Sequence, residues 1–335
     1  MVALQQPEAP PKLTSEQVCS GLEIESVTVC GLSFRILRRR TDFFAAVAGD
    51  LPLSSTGVVL WESALLLAEY LGFGGFLSSA LGSHEAAERQ SAKKWWQTHP
   101  PAAVVPSRFW SEQLPVLELG GGAGLVAAAL TSLGAAVVYT DGDLAAIETA
   151  KLNCRNAQSL HARKRKRHPD AKDAKDAKGV KPRGSCVFRH LPFGDADAAR
   201  RLADDLGPFG HVVGSDLLYG ETAPPGPLLD TLAAVAESQH CQDRPSTEPF
   251  LVTLAIKNRC CDEAEAFAAA ARERRMWTVD IADPSLLPES FQRAAEGFCG
   301  CQEKAAYCIV HLRLCEDYLR QRSPQRAARA EESRG

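Results

Sequence analysis

Val116-Leu117-Glu118-Leu119-Gly120-Gly121-Gly122-Ala123-Gly124-Leu125 joins an apolar run carrying one acid to a glycine cluster, and the cluster to an alanine-rich segment. The pattern predicts a buried strand, a tight turn and a helix. Glycines let the backbone turn sharply and approach a ligand where any Cβ would collide. The next apolar run, Ala135 to Thr140, closes on Asp141. A carboxylate at the tip of the second strand can accept both hydroxyls of a ribose, as nucleoside-binding doubly wound sheets do.

The glycine spacing selects among nucleosides. Dinucleotide loops read G-x-G-x-x-G and cradle a pyrophosphate. Here the spacing is Gly120-x-Gly122-x-Gly124, with Glu118 two residues ahead of it. An acid so placed would repel a pyrophosphate but suits a ligand bearing an amino group and a sulfonium. The expected cofactor is S-adenosylmethionine, with Glu118, Gly120, Gly121, Gly122 and Asp141 in its site.

Around this centre, apolar runs and helical patterns alternate as in a parallel sheet. Strands are expected at 115–119, 135–140, 186–191, 210–215 and 250–256, with two more at 276–281 and 306–314. Helices are expected at 124–133, 143–157, 196–205, 227–238 and 261–274. Upstream, residues 22–37 alternate around Gly31 as a β-hairpin would, and Leu65 to Leu71 lie on a helix with one broad apolar face. The fold class is therefore α/β: a Rossmann-like, seven-stranded, mostly parallel, doubly wound sheet with an N-terminal β-hairpin/helix extension. One domain is expected over 21–317, with insertions at about 72–114 and 158–185 and disordered tails at 1–20 and 318–335.

With 45% hydrophobic residues in 335, the chain can bury a sizeable core. No run reaches the length of a membrane span, and residues 1–20 lack the apolar middle of a signal peptide. Eleven cysteines lie scattered, many in apolar segments. Reduced thiols in a cytoplasmic or also nuclear setting fit this better than a disulfide framework. No C-x-x-C pair occurs, so no metal site is expected. The net charge of −3 conceals a basic block at 161–183, where ten Lys/Arg face three Asp. Such a block can meet nucleic acid or serve as an import signal. Its Asp-Ala-Lys repeats have no apolar face to bury, which fits a solvated insertion.

In open α/β sheets ligands bind beyond the carboxyl ends of the strands. The third strand delivers Leu191-Pro192-Phe193-Gly194 there, the fourth Ser215-Asp216-Leu217-Leu218-Tyr219, and the fifth Lys257-Asn258-Arg259. Phe193 can stack on an adenine or simply fill the core. An acid directly after a buried strand must be paired, hydrated or used, so Asp216 is the more informative residue.

These motifs resemble the class I (seven-β-strand) S-adenosylmethionine-dependent methyltransferases, and among them the protein-lysine methyltransferase family (methyltransferase family 16-like). The match rests on the glycine loop, on Asp-x-x-Tyr from Asp216 to Tyr219, and on the upstream Gly-x-x-x-Trp-x-x-Ala from Gly57 through Trp61 to Ala64. It spans roughly residues 22–315. The resemblance implies that Trp61 touches the cofactor and that Gly120, Gly121 and Gly122 line its methionine part. It also implies that Asp141 holds the ribose, and that Phe193 with Ser215 flanks the adenine. Asp216 and Tyr219 would be the catalytic pair lining a lysine channel. The family usually has tryptophan at Phe193, so this chain keeps the aromatic face and loses the indole N–H. Residues 253–259 resemble the elongation-factor branch, whereas Gly120–Gly122 and Thr140–Gly142 resemble the calmodulin branch.

The activity so implied is methyl transfer to a protein lysine by a monomer with no membrane partner. Two rivals stand beside it: a nucleic-acid methyltransferase using the basic insertion, and an inactive cofactor-binding protein. No Asn/Asp-Pro-Pro-Tyr-like tetrapeptide follows the fourth strand, which weighs against a base-amino methyltransferase. Asp216 as a helix N-cap and Tyr219 as a packing residue are the simpler roles the motif must displace.

Overall fold

A computed structural model describes residues 22–29, 32–39, 60–76, 114–166, 184–219, 223–241, 250–258, 263–282, 307–315 and 317–318. Gly57, the expected tails apart from Tyr318, and most of the two expected insertions lie outside these residues. The described chain forms an antiparallel hairpin, β1 (Leu22–Val29) and β2 (Leu32–Arg39), then helix α1 (Glu62–Phe76). Next come β3 (Val116–Leu119), α2 (Leu125–Leu133), β4 (Ala136–Asp141), α3 (Leu144–Lys166), β5 (Ser185–His190) and α4 (Ala196–Leu206). The chain continues through β6 (His211–Ser215), α5 (Pro225–Cys241), β7 (Leu251–Lys257), α6 (Glu263–Glu273), β8 (Trp277–Ala282) and β9 (Tyr307–Leu314).

The seven-stranded sheet runs β5-β4-β3-β6-β7-β9-β8, parallel except for β9, which is antiparallel to both neighbours. This is the Rossmann-like, mostly parallel doubly wound sheet expected, with its hairpin and helix extension. The strand order reverses between β3 and β6. That is the switch point where ligands enter such sheets, because the loops leaving the two strands diverge to opposite faces.

Alternation along each strand builds two cores. Val116 of β3, Val137 and Tyr139 of β4 and Val213 of β6 pack with α1, α2, α3 and the hairpin. Leu117, Leu119, Val138 and Val212 pack with α4, α5 and α6. The hairpin joins the first core through Val27, Val29, Phe34 and Ile36.

The third helix runs past the expected end at 157 to Lys166, so the basic block begins as helix. Arg and Lys are good helix formers, and a helix already nucleated by a buried face extends through them at little cost. The last two strands also exchange places: β9 returns between β7 and β8. Among the described residues no helix is long and apolar enough to cross a membrane.

One buried polar chain fastens α1 to the sheet. The Tyr70 hydroxyl lies 2.9 Å from His311 Nε2, Thr253 Oγ1 lies 3.0 Å from His311 Nδ1, and His211 Nε2 lies 2.7 Å from the same Thr253 oxygen. All four residues are buried. Burial lowers His211 to about 3 and His311 to about 4, so both rings are neutral near pH 7. An unfolded histidine takes up its proton near pH 6.5, while the folded pair resists until pH 3 to 4. The unfolded state therefore binds more protons across that window, and stability falls as pH drops through it, by up to about 1.4 kcal/mol per pH unit for each ring. Urea denaturation should show this loss between pH 6.5 and 4. Thr253→Val should cost about 1–3 kcal/mol at pH 8, because it leaves ring nitrogens of two buried histidines without a partner. Wild-type stability of the Thr253→Val protein at pH 8 would show that the chain is energetically idle.

Candidate functional site

The glycine turn after β3 takes left-handed φ values at three positions, +56° at Gly120, +54° at Gly122 and +77° at Gly124. L-residues adopt such φ rarely, which accounts for the cluster. Space demands glycine as well. A Cβ on Gly120 would sit 2.6 Å from Leu217 Cδ2 and 3.2 Å from Phe193 Cζ, and one on Gly124 would sit 2.6 Å from Ala150 Cβ on α3.

The backbone of this turn is held from behind. Gly121 N–H donates to Thr140 O at 3.0 Å, and Gly122 N–H to Asp141 Oδ2 at 2.9 Å. The Tyr139 hydroxyl donates to Gly122 O at 2.6 Å, and Asn153 Nδ2 to Ala123 O at 2.8 Å. Asp141 also accepts from Asp143 N–H at 2.8 Å through Oδ1. Each carboxylate oxygen of Asp141 thus takes one backbone N–H and keeps a lone pair. Burial raises this carboxyl to about 6, against which the N–H bonds from Asp143 and Gly122 pull downward. It is ionised near pH 7 and can accept further hydrogen bonds.

Glu118 is expected among the cofactor contacts. It is 1% exposed and lies behind the turn, with its Cδ 2.9 Å from where a Gly121 Cβ would stand. Burial drives its carboxyl well above the usual range, and the Ala127 N–H bond opposes that shift. The N-cap of α2 is Gly124, which has no side chain to offer. Glu118 lies beneath the turn near the first turn of α2, and its Oε2 has no hydrogen-bond partner among the described residues.

Opposite the turn, β6 delivers Ser215, half-buried, and Asp216, 2% exposed. The Asp216 N–H donates to Ala255 O at 2.8 Å, and Asp216 is held at φ +54°. Aspartate tolerates the left-handed region better than most residues, yet it persists there only where its surroundings hold it. Leu217 then folds back, since Cβ atoms built on Gly120 and on Gly214 would each come within 2.6 Å of its side chain. Tyr219 meets Trp61 edge to face, with ring centroids 5.9 Å apart at 62°. Phe193 lies beside Gly120, and the Phe193–Gly194 turn is pinned by the Gly194 N–H to Thr231 Oγ1 bond of 3.0 Å.

The structure therefore brings Trp61 against Tyr219, on the loop after β6 that begins at Asp216. Gly120, Gly121, Gly122, Asp141 and Phe193 stand around the turn, and Glu118 alone falls behind it. Sequence reading missed Tyr139, Asn153, Leu217 and Thr231, which position the turn from other elements. Their only sequence signal is polarity or bulk at positions that helical or strand periodicity assigns to the core.

No family model matches the chain, and no curated protein matches it. Among solved structures it is similar to SMU.776, provisionally assigned as a methyltransferase and complexed with SAH. That likeness has 10% identity, covers 92% of this chain and 58% of that one, and has a TM-score of 0.43. It is also similar to the T. Thermophilus 16S rRNA N2 G1207 methyltransferase RsmC in complex with AdoMet and guanosine, at 15% identity over 92% of this chain and 53% of that one, TM-score 0.39. An rRNA methylase from Streptococcus thermophilus matches at 12% identity over 62% of this chain and 92% of that one, TM-score 0.33. The chain spans little more than half the length of the first two. At these identities and TM-scores the likenesses decide neither ligand nor substrate.

The turn's dependence on glycine is testable without a ligand. A Cβ on Gly121 would lie 2.3 Å from the fully buried Tyr139 ring. Gly121→Ala should therefore displace that ring and cost about 1–3 kcal/mol by overpacking, measured by chemical denaturation. Unchanged stability would mean that the Tyr139 ring can move freely.

Proposed function

We propose that this chain is an S-adenosylmethionine-dependent methyltransferase acting on the ε-amine of a protein lysine. The observation that carries the reading is the pairing of two half-sites across one switch point. Asp141 and the half-buried glycine turn stand at the ends of β4 and β3, and a buried, left-handed Asp216 stands at the end of β6, on the loop that carries Tyr219, whose ring meets Trp61.

The residues present fit the cofactor. Asp141 keeps acceptor capacity for two hydroxyls while its N–H partners hold it in place. Gly120 to Gly122 remain half-exposed at the end of β3. Ser63, two residues beyond Trp61, is fully buried, and its hydroxyl has no hydrogen-bond partner among the described residues. Phe193 offers a ring face next to Gly120. Bound S-adenosylmethionine supplies an electrophilic methyl group on a sulfonium.

The chain's own residues then govern the acceptor. A lysine amine is protonated near pH 7, with an ordinary pKa of about 10.4, and only its neutral form has a lone pair to give. Trp61 and Tyr219 wall the approach in apolar surface, and desolvation there favours the neutral amine. Asp216 accepts a hydrogen bond from the amine and aims the opposite lone pair at the methyl carbon. The cofactor would supply the methyl group and sulfur as its leaving group, and the chain's residues would hold the amine in line with it. The product ammonium loses its proton to solvent. Positioning supplies most of the acceleration, since alignment within a few tenths of an ångström is worth several kcal/mol. The Asp-x-x-Tyr pattern and the absence of a Pro-Pro-Tyr-like loop after β6 favour lysine over a nucleic-acid base.

The test is transfer of radiolabelled methyl from S-adenosylmethionine to proteins of a cell extract, with and without RNase, alongside Asp216→Ala. The expected result is a discrete protein band that survives RNase and falls by about 10²-fold or more in the variant. Label lost on RNase treatment would replace lysine with RNA as the acceptor. A folded Asp216→Ala protein that transfers at the wild-type rate would remove Asp216 from the mechanism.

A further inference from the structure

The N-terminal hairpin and the glycine turn are far apart in sequence, yet one side chain bonds to both. Asn153 lies on α3 and is fully buried. Its Oδ1 accepts from Leu37 N–H at 2.7 Å, and its Nδ2 donates to Leu37 O at 2.9 Å and to Ala123 O at 2.8 Å. Toward β2 the amide behaves as one residue of a neighbouring strand would, donating to and accepting from the same residue. Its remaining N–H reaches the carbonyl between Gly122 and Gly124. Only one orientation of the amide satisfies this set, because the flipped form would set oxygen against two carbonyls.

We infer that Asn153 is a positioning residue for cofactor binding, which ties strand β2 to the Ala123 carbonyl and so sets the glycine turn in its binding conformation. This rests on the cofactor reading given above. Carboxylate, hydroxyl and aliphatic side chains each lack part of the pattern: aspartate has no donor, serine cannot span both partners, and leucine has neither function. The turn has little conformational preference of its own. Three of its residues sit at positive φ, which glycine adopts without being confined to it, so external partners must select the state. Asp141 and Tyr139 hold Gly122, and Asn153 holds the residue that follows. The hairpin, which contributes no residue to the expected cofactor contacts, becomes part of the cofactor site by this route.

The experiment is calorimetric titration of S-adenosylhomocysteine into the full-length wild type and Asn153→Asp, with thermal melts of both. Asn153→Asp is nearly isosteric, keeps the acceptor for Leu37 N–H and removes both donors. The expected result is a Kd at least tenfold higher for the folded variant at a temperature well below its melt. An equal Kd with only a lowered Tm would overturn the inference, reducing Asn153 to a structural tie. Absence of binding by the wild type would instead overturn the cofactor reading, and the inference with it. Should the variant fail to fold, hydrogen exchange on the wild type decides. Coupling requires that S-adenosylhomocysteine slow exchange at the Leu37 amide. Slowed exchange at 121–124 with no change at Leu37 would overturn it.

Discussion

A turn of glycines at positive φ has no conformation it must adopt, and the organisation of this protein follows from the need to hold one. Asp141, at the end of β4, clamps Gly122 and Asp143 by their N–H groups, and the Tyr139 hydroxyl takes the Gly122 carbonyl. These contacts require that β4 lie next to β3 in parallel register, with Glu118 opposite Tyr139, as it does. They also leave Glu118 buried beneath the turn, beside the Tyr139 ring and the site of a Gly121 Cβ. The residues that make the site are therefore few, and those that hold it are many.

The two faces of the sheet share this work unequally. The core under α4, α5 and α6 has a cluster of Leu, Val, Ile and Ala with a few aromatics, beside the buried Thr231 and Ser238 of α5. The face under α1, α2 and α3 also buries Glu118, Asn153, His211, Thr253 and His311. Buried polar groups gain little net stability, but leaving one unmade is expensive, so they discriminate sharply between the native arrangement and near alternatives. On this face they fix α1 through Tyr70 and the hairpin through Leu37. Both attached elements bear on the site: α1 follows directly on Trp61, and the hairpin is bonded to the residue that is bonded to the turn.

The strands and helices around the sheet were largely legible in the sequence, because fully buried parallel strands read as short apolar runs closed by Gly, Asp or Pro. The order of the last two strands was not. Trp277–Ala282 and Tyr307–Leu314 are similar apolar runs, and only packing against Leu251–Lys257 decides which is inner. The continuation of α3 to Lys166 was obscured by the lack of an apolar face in Arg163–Lys166, although their helix propensity is high. The placement of Asp141 at the end of β4 and of Asp216 and Tyr219 in the loop after β6 was legible from the strand ends, and Trp61 from its motif before α1. The burial of Glu118 was not legible from its nearness to the glycines in sequence. Strand alternation puts it on the face opposite Leu117 and Leu119, beneath α2. Asn153 gives no sequence signal beyond a polar residue on the buried side of a helix, since its partners are 116 and 30 residues away.

The central claim is that the turn and Asp141 hold S-adenosylmethionine and not a dinucleotide. Calorimetric titration of the full chain with S-adenosylmethionine and, separately, with NAD tests it directly. The account predicts saturable one-to-one binding of S-adenosylmethionine and no binding of NAD at the same concentrations. Binding of NAD with S-adenosylmethionine inert would contradict it, and would reassign the glycine turn to a pyrophosphate.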